Sequence, residues 1–102
     1  MELAQEIYRL TSLLPARENY GLADQMRRAA VSIPSNIAEG SRRNGKKDYS
    51  HFVSIAHGSL SELETQILIA EKCYPKANFQ KLLPLVDEIS RMLLVLSRRL
   101  RE

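Results

Sequence analysis

The chain has no tryptophan, one cysteine and two histidines among its 102 residues. A single thiol, Cys73, excludes an intrachain disulfide and leaves no second cysteine for a metal or redox motif; a reducing compartment fits. The di-metal sites of helical bundles rest on Glu-x-x-His pairs. No glutamate here has a histidine three positions on: Glu62 is followed at that spacing by Thr65, Glu64 by Ile67 and Glu88 by Arg91. His51 and His57 would project from different faces of one helix. Gly40 and Gly45 bracket a loop but form no phosphate-loop pattern. No apolar run approaches the ~18 residues that span a bilayer. The first residues carry Glu2, Gln5, Glu6 and Arg9 where a secretory leader would be continuously apolar. These absences lead us to expect a cytoplasmic protein with no catalytic residues, metal, cofactor or membrane segment.

What is present is helical periodicity. Leu3, Ile7, Leu10 and Leu14 recur at spacings of four, three and four, predicting a helix over about 2–13 that Pro15 stops. Leu22, Met26, Ala29 or Ala30, Ile33 and Ile37 predict a second helix over 22–39, bent at Pro34 and closed by Gly40 as a left-handed cap. Asn36 is expected to be buried and to bond the backbone group that Pro34 frees. Tyr49, Phe52 or Val53, Ala56, Leu60, Leu63, Ile67 and Ala70 predict a third over 47–73. Asn78 is the expected N-cap of a fourth over 78–101, with Leu82, Leu85 or Val86, Ile89, Met92 or Leu93, Leu96 and Leu100 inward; Pro84 bends this helix or marks its start. No alternating pattern suggests a strand. Short loops favour a single domain, 1–102, folded as an antiparallel up-down-up-down four-helix bundle.

Gly58 and Ser59 fall in mid-helix, where glycine costs about 1 kcal/mol against alanine, and a tight crossing opposite Ala29, Ala30 or Pro34 is expected there. Glu62 and Glu64 are expected to pair with Arg27, Arg28 or Arg91. The apolar runs Met92–Leu96 and Ile67–Ala70 wrap beyond one buried face, so part of each should meet water in a lone chain, the mark of self-association.

The segment DQMRRAAVSIPSNIAEGSRR (Asp24 to Arg43) resembles the signature of the 23S rRNA-intervening sequence proteins, small bacterial four-helix bundles. GSLSELETQ (Gly58 to Gln66) and EISRML (Glu88 to Leu93) resemble its later motifs, in the same order. The resemblance implies a homopentameric ring and kinship with accessory proteins of diversity-generating retroelements, which bind a reverse transcriptase and nucleic acid. The family pattern extends upstream through a tryptophan-containing segment; this chain begins at Met1-Glu2-Leu3, so its first helix is expected to be a turn or more short.

Fifteen Lys and Arg oppose twelve Asp and Glu, so the case for a polyanion depends on where the charges sit. An up-down-up-down bundle would bring Arg42, Arg43, Lys46 and Lys47 to the same end as Arg98, Arg99 and Arg101. Helix-dipole complementarity accounts for the arginines at helix C-termini but not for Lys46 and Lys47, which enter a helix at its positive end. A ring of parallel subunits would repeat this end as a basic rim suited to phosphate. No aromatic cluster is expected nearby, Tyr49 being closest and phased toward the core. The sequence therefore supports a non-enzymatic oligomer whose basic end binds an RNA or DNA backbone. The alternative is a protein-interaction scaffold engaging a partner, such as a reverse transcriptase, without nucleic-acid contact.

Overall fold

The computed structural model describes residues 1–102, which form four α-helices and no strand. These are α1 (Glu2–Thr11), α2 (Leu22–Ser41), α3 (Lys46–Cys73) and α4 (Leu83–Arg101), with short 3₁₀ turns at Ala16–Glu18, Pro75–Ala77 and Phe79–Leu82. The molecule measures 45 × 23 × 18 Å. α2 packs most extensively on α3; α3 also carries α4, and α1 lies on α2. No helix is long and apolar enough to cross a membrane.

The three-and-four spacing places the core where the periodicity predicts it. Leu3, Ile7, Leu10 and Leu14 are buried from the first segment, and Met26, Ala29, Ala30 and Ile33 from α2. α3 contributes Val53, Ala56, Leu60, Leu63, Ile67 and Ala70; α4 contributes Val86 and Leu93. Of the two adjacent candidates Met92 and Leu93, Leu93 points inward and Met92 stays 62% exposed. The greasy runs do reach solvent: Leu68, Ile69, Leu94 and Val95 are each about half exposed.

Several boundaries and local roles differ from the sequence reading. α1 ends at Thr11, whose buried hydroxyl donates back to the Ile7 carbonyl at 2.6 Å and accepts from Arg27 Nε at 2.9 Å. That polar junction ties α1 to α2. Asn78 is no N-cap. It adopts the left-handed conformation (φ 57°, ψ 49°), and α4 starts five residues later at Leu83, with Pro84 in its first turn. Proline suits that position because its missing N–H would have no helical acceptor there. Phe79, just after the left-handed residue, is fully buried.

Pro34 lies inside α2, which runs on to Ser41. The carbonyl a proline deprives of its partner is that of the fourth residue before it, Ala30. Asn36, half-buried, instead donates to the Ser32 carbonyl at 2.8 Å and to Ser32 Oγ at 2.9 Å. Ser32 Oγ in turn lies 2.8 Å from Ser59 Oγ. The α2–α3 crossing therefore runs through this polar trio. Of the two small residues expected at the crossing, Ser59 meets α2 in this way, whereas Gly58 is exposed, with nothing within 4 Å of where its Cβ would be. Glu62 and Glu64 make no ion pair either, because Arg27 binds Thr11 and covers the Tyr8 ring, while Arg28 and Arg91 bind Asp24 and Asp87 on their own helices.

Gly40 is no cap. No glycine has positive φ, α2 continues past Gly40, and Arg42, in right-handed conformation, closes it. A Cβ at residue 40 would sit 2.8 Å from Phe52 Cβ and 2.9 Å from Tyr49 Cδ1. The glycine is what lets the end of α2 approach the start of α3. Gly40→Ala should add about 1 kcal/mol of helix propensity yet cost about 1–3 kcal/mol in forced repacking. A net loss of stability in urea denaturation is expected; a gain would mean this approach is not tight.

At the opposite end, the Tyr74 hydroxyl donates to Glu18 Oε2, fastening the first connection to the end of α3. This bond, with some desolvation, raises the Tyr74 pKa above its ordinary value. A pKa raised by folding means the native state holds the proton longer, so the contribution is present below the ordinary tyrosine pKa of about 10 and is lost as pH rises through the folded value. Tyr74→Phe should therefore flatten the alkaline fall of stability above about pH 10 and leave its neutral-pH slope unchanged. An unaltered alkaline limb in pH-dependent denaturation would rule this linkage out.

Candidate nucleic-acid interface

The seven basic residues singled out above are all exposed. Arg42 and Arg43 follow Ser41, the last residue of α2; Lys46 and Lys47 open α3; Arg98, Arg99 and Arg101 occupy the last turn of α4. The link between the two groups is direct, because Lys46 Nζ lies 3.5 Å from the carbonyl oxygen of Glu102. The start of α3 and the end of α4 thus meet. Gly45 precedes α3 and, having no side chain, caps none of its N–H groups, so these add to the positive field beside Lys46 and Lys47. Asp48 is the one acid in that turn.

Arg43 differs from the other six. It forms an ion pair with Glu39 at 2.9 Å, and its guanidinium covers the Phe52 ring at 4.9 Å from the centroid. Arg42, Lys46, Lys47, Arg98, Arg99 and Arg101 are in none of the chain's ion pairs, which are Arg9–Glu6, Arg28–Asp24, Arg43–Glu39 and Arg91–Asp87. Lys46 contacts the main-chain oxygen of Glu102, and the other five cations face solvent with no contacting carboxylate.

The expectation that aromatics avoid this end needs correction. Tyr49 is half-buried against Gly40, but Phe52 lies half-buried under Arg43, and the exposed His51 meets it edge-on at 5.7 Å. Of the two adjacent candidates for the core stripe, Phe52 and Val53, Val53 is buried and Phe52 stays half-buried. The close approach permitted by Gly40 brings Arg43 across its ring. Arg101 also lines a groove of about 330 Å³ between α3 and α4, with Ser50, Ser54, His57 and Ser97. No three His, Cys, Asp or Glu residues lie close enough together to hold a metal ion.

A four-helix protein with a cationic end made from one loop and one terminus is the class these features define. The family model of the 23S rRNA-intervening sequence protein matches residues 1–95, and the chain belongs to that family. No curated protein matches it.

Proposed function

We propose that this protein is a non-enzymatic helical bundle whose basic end binds the phosphate backbone of RNA or DNA. The observation that carries this reading is the contact of Lys46 with the end of α4, which supports a basic end shared by the start of α3 and the last turn of α4. Such a surface neutralises phosphates without reading bases, so binding should be salt-sensitive and weakly sequence-dependent. Phe52 under Arg43, with His51 beside it, gives the rim an aromatic surface next to its cations.

The architecture that goes with this function is an up-down-up-down antiparallel bundle with α2 bent at Pro34. The proximity of Gly40 to Tyr49 and Phe52, and of Ser32 to Ser59, supports the antiparallel turn between α2 and α3. Copies assemble as a ring, a pentamer by family resemblance, in the cytoplasm of a bacterium. Exposed Met92, Val95, Leu68 and Ile69 support self-association. The same apolar surface favours a second reading, a scaffold that engages a protein partner with no direct nucleic-acid role. Reversing Arg42, Arg43, Lys46, Lys47, Arg98, Arg99 and Arg101 to glutamate separates the two. Loss of RNA and DNA binding with the oligomer intact supports the first; partner capture that survives the reversal supports the second.

A further inference from the structure

Ser50, Ser54 and His57 recur on α3 at spacings of four and three, so they share one helical face. Ser97 and Arg101 of α4 stand across from them, and the five line one groove of about 330 Å³. Its floor is apolar, Val53 and Leu93 being 2% and 3% exposed. No Asp or Glu lines it, whereas the groove between α1 and the start of α4 carries Glu2, Glu6 and Glu88. A helical hydroxyl can bond back to a carbonyl of the preceding turn, as those of Ser12, Ser41 and Thr65 do here. Those of Ser50, Ser54 and Ser97 do not, and each keeps its O–H for another acceptor. Arg101 has no contacting carboxylate. The recess therefore offers three hydroxyl donors, an imidazole and a guanidinium, with no acid to oppose an anion.

We propose that this groove binds a phosphate monoester, the terminal phosphate of the RNA or DNA strand whose backbone lies on the basic end. This rests on the backbone reading above and adds the strand end to it. Arg101 belongs to both surfaces, since it lies in the last turn of α4 and lines the groove. A monoester brings about two negative charges and three strong acceptor oxygens. The planar fork of a guanidinium can take two of those oxygens together, which leaves the third to the serine hydroxyls and His57. A backbone diester has a sugar on either side and stays on the surface, whereas a strand end can enter a recess between two helices. The apolar floor keeps water from beneath the anion, where each hydrogen bond to it counts for more.

The test compares one internally labelled oligonucleotide carrying a 5′-phosphate, a 3′-phosphate or hydroxyls at both ends, by anisotropy at a single low salt concentration. A phosphorylated end should bind about tenfold tighter, the worth of one hydrogen bond to a charged group. In the double variant Ser54→Ala/Ser97→Ala, and in His57→Gln, that preference should vanish. Alanine is a better helix former than serine, so the double variant should keep its fold, which circular dichroism checks. In parallel, inorganic phosphate alone should shift the His57 ring resonances of the wild-type protein and not those of the double variant. A preference that survives in the variants reflects only added charge on the basic end and overturns the groove site. Equal affinity for all three ends, with salt-dependent binding intact, overturns the groove site and leaves the backbone reading standing. No oligonucleotide binding overturns the backbone reading and the strand end together; a His57 shift with inorganic phosphate would then mark free phosphate as the ligand of the groove.

Discussion

Phe79→Ala should destabilise the protein by about 3–5 kcal/mol, the usual loss for emptying a fully buried phenylalanine site. Phe79 has no exposed surface, and its turn, Phe79–Leu82, touches α1, α3 and α4. One side chain therefore seals the end of the bundle where α4 starts. The cavity cannot close easily, since the ring is held between a left-handed Asn78 and the proline-initiated helix. A domain of this size has roughly 5–15 kcal/mol in total, so the variant should melt about 15–30 °C lower. Protein concentration must be fixed, because any assembly stabilises the folded chain. A loss below about 1 kcal/mol would show that this turn is peripheral to folding.

The second large effect concerns binding. Neutralising about seven phosphates gives an expected log–log salt slope near −6 for duplex DNA and near −5 for a single strand. Raising salt from about 50 to 200 mM should then weaken binding about 10³- to 10⁴-fold. Reversing the seven charges should abolish binding at either salt. The single change Arg43→Glu should cost less than Lys47→Glu, because Arg43 is already paired with Glu39 and stacked on Phe52, whereas Lys47 has no such partner. A flat ranking across the seven would mean that local pairing does not govern their availability.

The helices were legible because burial of one face imposes a three-and-four spacing on the apolar residues, and Leu3 to Leu14 or Val53 to Ala70 obey it closely. What stayed hidden depends on neighbours distant in sequence. A glycine near a helix end serves equally as a left-handed cap or as a point of close approach; only Tyr49 and Phe52 against Gly40 decide for the second. Gly58 misled for the same reason, being open where a crossing was expected. The segment 78–82 has helix-like spacing, but Pro84 fits best in a first turn, so the helix starts later and Phe79 becomes an anchor. At the basic end, the one contact between the two charge groups joins Lys46, the first residue of α3, to Glu102 after α4. The stacking of Arg43 on Phe52 was not foreseeable, since it depends on how α3 is rotated against the end of α2.

The most direct measurement is fluorescence anisotropy of the wild-type protein with labelled structured RNA and duplex DNA, titrated from low to physiological salt. Binding that falls linearly in log salt with a slope of about −5 to −6, and vanishes in the seven-charge reversal, is the expected result. No binding at low salt, or binding that ignores salt, would contradict a phosphate-binding end and leave its arginines as helix-terminal charges facing solvent.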